Sequence, residues 1–296
     1  MNELQLIALY CYICERYDTH LRWLCERFSN NSEPDFTDVE CLTIYIYAIM
    51  EEEKFKIKSI HRYAKKYLHS WFPTLPSYVA FNTRLNRLSE VFPALVSHLI
   101  QDADQHGIDF NISLIDSMPI ITCSGKRAGK VAPELTSKGY CSTKKLHYYG
   151  AKLHGIGFRR LGKLPMPEIF ALSPACEHDL NAVREILPNL KDRYIIADKA
   201  YINKELNESL QKTARTCIIT PVKQVKGESQ LLRDFNKVAD NLYSANVSRI
   251  RQPIEGLFNW LIEKTDIQRA SKVRSARGLM VHVFGKIAAA LALWVF

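Results

Sequence analysis

Two apolar runs stop at an aspartate, "SLIDS" at Asp116 and "YIIADKAY" at Asp198, and a third carboxylate, Glu255, stands in "RIRQPIEGLFNWLIEKT", residues 249–265. A buried strand that ends in an acid delivers it to the crevice beyond the C-terminal edge of an α/β sheet. Taken alone, either aspartate equally suits an Asx turn or a helix cap. Around Glu255, the residues Ile254, Leu257, Phe258, Leu261 and Ile262 follow helical spacing and define a buried stripe. Glu255 lies about 100° round from Ile254, at the edge of that stripe. Pro253 suits the first helical position, which makes Glu255 an N3 acid favoured by the helix dipole. That account leaves the flanking cations Arg249, Arg251 and Lys264 unexplained. Three carboxylates in one dry crevice repel one another unless a cation compensates. An oxygen-only donor set selects Mg²⁺ or Mn²⁺. Two such ions, about 3.5–4 Å apart, serve phosphodiester cleavage by activating a water or 3′-hydroxyl and stabilising the leaving oxygen.

The charge distribution names a polyanionic partner. The 296-residue chain has a formal net charge of +9, and the segment from Ile121 to Lys163 holds ten Lys or Arg against Glu134, which is the whole excess. A second cluster, Lys264, Arg269, Lys272, Arg274, Arg277 and Lys286 against Asp266, adds a local +5. Concentrated positive charge suits nucleic acid, where each phosphate contact releases counterions. With 47% hydrophobic residues and no low-complexity tract, disorder is excluded.

The remaining residues capable of chemistry have plainer accounts. Cys11 and Cys14 are spaced CxxC, with Cys25 and Cys41 beyond, but no second pair completes a zinc set and the segment has helical periodicity, so buried helix cysteines are expected. A reducing cytoplasm follows from eight cysteines without a secreted disulfide framework or a signal peptide. His147 and His154 are of opposite face parity on one strand and make a poor metal pair. In "ACEHDLNA", Asp179 reads as a helix N-cap. The C-terminal "LMVHVFGKIAAALALWVF" is interrupted by His282 and Lys286, and its unbroken part, Ile287 to Phe296, is short of the ~20 residues that span a bilayer, so a core helix and no membrane partner are expected.

These groups need elements to hold them. Residues 1–105 read as helices: Thr37 and Glu40 form a capping box, and "IKSIHRYAKKYL" and "SYVAFNTRLNRLSEVF" are amphipathic. The second carries Asn82, Arg84, Asn86 and Arg87 on its polar side, so residues 57–89 suit either a DNA-reading helix-turn-helix or an ordinary bundle. From 106 to 296 the texture is β-β-β-α-β-α-β-α, with strands at "FNISLIDSMPI", "HYYGAKLHGIG", "EIFALSPA", "RYIIADKAYI" and "TCIITPVK". This is a mixed five-stranded sheet covered by helices, α/β in class.

The stretches "LIDSMPI", "STKKLHYYGAKLHGI", "IIADKAYI" and "RIRQPIEGLFNWLIEK", in that order, resemble the DDE transposases of bacterial insertion sequences. The resemblance covers about residues 107–265 well and the helical N-terminal region loosely. It implies an RNase H-like, retroviral integrase-type catalytic core preceded by an all-helical domain. It assigns the triad to Asp116, Asp198 and Glu255, which are 82 and 57 residues apart with no room for an insertion domain. Arg251 matches the arginine of an R-x-x-x-E signature. Ser248 departs from the tyrosine expected there, Ile262 from the lysine, with Lys264 nearby, and Ala200 from a common glycine. The activity implied is Mg²⁺-dependent cleavage and strand transfer with two ions. Its partners are transposon ends and target DNA, bound by a homodimer assembled on DNA, and its place is the cytoplasm, at the nucleoid. Lys126, Arg127, Lys130, Lys144, Lys145, Arg159, Arg160, Arg251 and Lys264 are the expected DNA contacts. A catalytically silent DNA-binding descendant and a structure-selective nuclease of the same fold are the alternatives.

Overall fold

The structure, a computed structural model, describes residues 2–25, 34–126, 129–141, 145–223 and 230–296, the side chains of 230–235 excepted. The chain forms two compact units, one of Met1–Asp104, Ile121–Glu134 and Trp260–Phe296, the other of Gln105–Ile120 and Leu135–Asn259.

The first unit is helical at its N-terminus, as expected: α1 (Glu3–Arg16), α2 (Arg22–Cys25), α3 (Asp38–Met50), α4 (Ile57–Tyr67), α5 (Tyr78–Arg87) and α6 (Val91–Asp102). The capping box is present, since Thr37 Oγ1 accepts from the Glu40 amide at 3.1 Å while the Thr37 amide donates to Glu40. It starts α3, whose residues 41–50 are all buried, making it the central helix. The sequence boundary at 105/106 places the C-terminal helices with the sheet; instead α10 (Ala276–Met280) and α11 (Lys286–Val295) pack with this unit, α11 against α3 and α6. The reason is close apposition of small residues. A Cβ on Gly285 would stand 2.6 Å from the Tyr45 ring of α3, so only glycine fits. Ala276–Val295 forms a helical run of 20 residues, π-helical at Val281–Gly285. It is longer than the unbroken apolar stretch suggested and apolar enough to cross a membrane by length and composition; most of it is buried in this unit.

The polar side of α5 is largely spent inside the protein. Arg87 Nη2 donates to Asp38 Oδ1 at 2.7 Å, Arg84 Nε lies 3.5 Å from the same oxygen, and Asn86 donates to the Asn82 carbonyl. Residues 68–77, not a three- or four-residue turn, separate α4 from α5. Of the N-terminal cysteines, Cys25 and Cys41 are buried as expected, while Cys11 is exposed and Cys14 half-buried. The first helix turns only Leu6, Leu9 and Ile13 inward, and Cys11 falls on its other side.

The second unit is a mixed sheet of six strands rather than five: β1 (Ile108–Ser124), β2 (Ser137–Cys141), β3 (Leu146–Arg160), β4 (Met166–Pro174), β5 (Tyr194–Ile196) and β6 (Cys217–Ile219). The order is β2-β3-β1-β5-β6, with β4 also on β3. The additional strand, β2, pairs antiparallel with residues 146–150 of β3, and β4 takes residues 151–158. Parallel pairs β1–β5 and β5–β6 complete the sheet. Two further expectations change. The helix expected to start at Asp179 is short, α7 (Asp179–Val183), followed by a 3₁₀ turn at Leu187–Asn189 that contains Pro188, which cannot donate to a helix. The strand expected over 193–202 is only β5, because Asp198 Oδ1 accepts from the Ala200 amide at 2.7 Å and turns the chain. Then follow α8 (Lys204–Ala214) and α9 (Gln230–Thr265). The core joins Ile115 of β1, Ile195 of β5, Leu180 and Val183 of α7 and Leu210 of α8.

One buried charge in the first unit yields a prediction. Lys286 is 2% exposed, donates to the Asp266 carbonyl at 3.1 Å, and burial pulls its pKa down to about 8. The folded state therefore releases this proton before the unfolded state does, so the stability cost is complete below about pH 8 and is relieved as pH rises towards 10.5. Replacing Lys286 with Met is expected to stabilise the protein at pH 7 by about 1–3 kcal/mol. Thermal unfolding should show that gain shrinking as pH approaches 10.

Candidate active site

The paired register of two short parallel strands places the aspartates. Leu114 of β1 is opposite Ile196 of β5, and Asp116 and Asp198 each lie two residues further on. They share one face parity and leave adjacent strands, which run about 4.8 Å apart. Asp116 is not at the end of its strand, since β1 continues to Ser124, but it lies just past the last residue paired to β5. Asp198 caps the 3₁₀ turn Lys199–Tyr201, so its turn role and its place at the sheet edge coexist. That turn accommodates Ala200 without a glycine.

Glu255 arrives from α9. Ile254, Leu257, Phe258 and Leu261 are buried, as the stripe predicts, and Ile262 is half-buried. Phe258 packs where Gly155 of β3 has no side chain; a Cβ there would stand 3.1 Å from the ring. Pro253 is not at the helix start. It lies inside α9, so Glu255 is mid-helix and gains nothing from an N-terminal dipole. The unbroken helix has a different consequence: Arg251 and Glu255 are one turn apart on the same face.

Arg251 joins the carboxylates. Its Nη1 pairs with Asp116 Oδ2 and its Nη2 with Glu255 Oε1. The Arg251 and Asp116 side chains are 16% and 19% exposed, Glu255 50%. Burial raises the Asp116 pKa to about 6; Arg251 and the Ser117 amide, 2.8 Å from Oδ1, oppose the rise, while Asp198 and Glu255 add to it. Burial works against the Arg251 charge, yet Asp116, Glu255 and Asp198 hold its pKa above the ordinary value. Asp198 and Glu255 thus both act on Asp116, and all three acids act on one guanidinium. Asp116 and Glu255, two of the three acids expected to form the triad, thus share Arg251.

Residues 106–273, more than half of the chain, match the family described as the transposase DDE domain. The chain belongs to the DDE transposase family. Neither a curated protein nor a solved structure matches it.

Within the transposase, further polar groups back the triad. Asp179 is not an N-cap: the cap position is His178, and the Asp179 carboxylate instead accepts from Ser117 Oγ at 3.1 Å and Lys152 Nζ at 2.9 Å. Lys152 also donates to the Glu177 carbonyl at 2.7 Å. Lys152 and Ser117 carried no mark in the sequence beyond a charge and a neighbour of Asp116; only a contact between β3, β1 and α7 reveals them. His147 is exposed and His154 buried, which separates them as their parity requires.

The basic residues expected to meet DNA are placed unequally. Lys145 is exposed at the start of β3 and Arg159 half-buried near its end. Arg160 is not a surface contact: it is buried, and its Nε donates to the Leu164 carbonyl at 2.8 Å, holding the β3–β4 turn. Lys126 and Lys130, both exposed, and half-buried Lys264 belong to the first unit. Arg127 and Lys144 lie outside the described residues. Beside Glu255 a groove of about 360 Å³ is lined by Arg249, Gln252, Pro253, Glu255, Gly256 and Asn259. A larger depression of about 540 Å³, around Arg193 and Arg215, opens at the opposite, N-terminal ends of β5 and β6, away from where such sheets bind ligands.

Among the described residues, no group of three or more His, Cys, Asp or Glu side chains is arranged to hold a metal ion. The guanidinium stands between Asp116 and Glu255 instead. The donor chemistry nevertheless fits a hard divalent cation, because it is oxygen-only and already draws a positive charge into its midst.

Replacing Arg251 with Gln removes that charge and should carry the Asp116 pKa above about 6. A raised carboxyl pKa means the folded state holds the proton more tightly than the unfolded state, so stability falls as pH rises from 3.8 through the folded value. The variant is therefore expected to lose about 1–3 kcal/mol at pH 8, a partly solvated version of breaking a buried pair. Urea unfolding at pH 5, where Asp116 is protonated in both proteins, should show the difference narrowing.

Proposed function

We propose that this protein is the transposase of a bacterial insertion sequence, binding the element's ends and catalysing divalent-metal-dependent cleavage and strand transfer on an RNase H-like core. The observation that carries the reading is the junction of Asp116, Asp198 and Glu255 around Arg251, inside the region matched to the family. A mixed sheet, with antiparallel strands followed by a parallel pair that presents both aspartates, supports the RNase H-like description.

In this reading Asp116 and Asp198 hold one cation between them, and Glu255, the more exposed acid, completes a second position. Mg²⁺ or Mn²⁺ ions bound there supply an activated water or 3′-hydroxyl and a stabilised leaving oxygen. Cations bound there would take over the neutralisation and leave Arg251 available to a DNA phosphate. Lys126, Arg127, Lys130, Lys144, Lys145, Arg159 and Lys264 position the DNA backbone without reading its sequence. Two chains assemble when two ends are paired, and the work is done on the bacterial nucleoid in the cytoplasm. The hold of Arg251 on both Asp116 and Glu255 favours one second reading, a silent DNA-binding descendant in which the guanidinium stays in place.

Cleavage of DNA carrying the element's ends, with Mg²⁺ and an EDTA control, separates the two. Replacing Glu255 with Gln is expected to lower cleavage roughly 10³-fold or more, the scale on which losing one member of a catalytic group acts. DNA retention in a gel-shift assay should be unchanged. Cleavage at the unmodified rate by that variant would sink the assignment, and a wild-type protein that binds ends without cutting them would establish the silent reading.

A further inference from the structure

Tyr201 closes the 3₁₀ turn that Asp198 caps. Its ring belongs to the core of the sheet unit, with Ile115, Ala197 and Leu180, and the residue is 1% exposed. Its hydroxyl is buried with no hydrogen-bond partner among the described residues. A buried, unsatisfied hydroxyl costs folding free energy, and phenylalanine would fill the same space without it.

The charges that act on that hydroxyl are those of the site. Burial raises its pKa well above the ordinary value, and Asp179, Asp116 and Asp198 raise it further in that order, so it remains a proton donor at neutral pH. These acids already have donors of their own. Asp179 Oδ1 takes Ser117 and Lys152, Asp116 takes the Ser117 amide and Arg251, and Asp198 Oδ1 takes the Ala200 amide. One buried donor is thus left unspent among three carboxylates, on the same turn that positions Asp198.

We propose that the Tyr201 hydroxyl is a positioning donor of the carboxylate site, spent on an oxygen that a bound divalent cation brings into it. The inference rests on reading Asp116 and Asp198 as the residues that hold that cation. The full-length Tyr201→Phe protein keeps the ring and loses only the donor. Two measurements decide: thermal unfolding in EDTA, and Mn²⁺ binding followed by calorimetry. The expected result is an unfolding temperature equal to or above that of the wild type, with Mn²⁺ affinity lowered about fivefold or more, the scale of one hydrogen bond. Unchanged Mn²⁺ affinity would overturn the proposal. So would a fall in unfolding temperature, which would mean that the hydroxyl is spent on a structural bond. Asp116→Asn distinguishes the two levels of failure. If it abolishes Mn²⁺ binding while Tyr201→Phe does not, only the role of Tyr201 falls. If Asp116→Asn, or the wild type itself, shows no specific Mn²⁺ binding to lose, the carboxylate reading falls with it.

Discussion

Like charges gathered away from water are the constraint on which this site depends. Asp116 sits at a sheet edge where burial and two neighbouring acids all disfavour its ionised form, and its pKa of about 6 records the balance. A cation beside it favours the charged form of Asp116 against that balance. The protein supplies one from the helix that carries the third acid: Arg251, one turn before Glu255, bridges Glu255 to Asp116. This geometry needs α9 to run unbroken through Pro253. An interior proline forfeits a backbone bond and costs about 3 kcal/mol. The orphaned carbonyl is that of Arg249, an exposed residue to which water has access. Burial of Ile254, Leu257, Phe258 and Leu261 offsets the rest at about 1.5–3 kcal/mol for each fully buried side chain.

What could be read from the sequence was what local spacing determines. The capping box at Thr37 and Glu40, the apolar stripe after Pro253 and the alternation of strands with helices each depend on residues within a few positions of one another. So did the aspartates, because the apolar run before each one is also the segment that pairs, Ile112–Leu114 with Tyr194–Ile196. Parallel strands in register put acids at equivalent offsets side by side, and that offset is visible as "SLID" and "IIAD".

The misreadings share a different cause. Proline in a helix and proline at its start look alike until the upstream turn is seen, so Pro253 was placed at the first helical position. Arg160 looks like a cation for a phosphate, and Arg84 and Arg87 suit either a DNA-reading helix or a bundle; one is taken by a turn carbonyl and two by Asp38, partners 4 and 46–49 residues away in the chain. β2 has only five residues, with the pattern of a loop, and exists because β3 is long enough to pair β2 and β4 in succession. Asp179 resembled a cap because caps are where aspartates are common; its real partners come from β1 and β3.

The second layer explains why the site is built on strands rather than on loops. Ser117 is the residue after Asp116, and its amide and hydroxyl point to different acids, the amide to Asp116 and the hydroxyl to Asp179. Lys152, from the neighbouring region of β3, neutralises Asp179 and ties it to the Glu177 carbonyl. A shift of Asp116 therefore strains a chain of bonds that crosses β1, α7 and β3. Arg251 reaches the site from another element: it is held by charge-assisted hydrogen bonds to Asp116 and Glu255, on a helix whose next turn is packed into the gap at Gly155. The aspartates are thus placed by the paired strands and the guanidinium by a helix, so the acids and the charge that offsets them are carried by different elements.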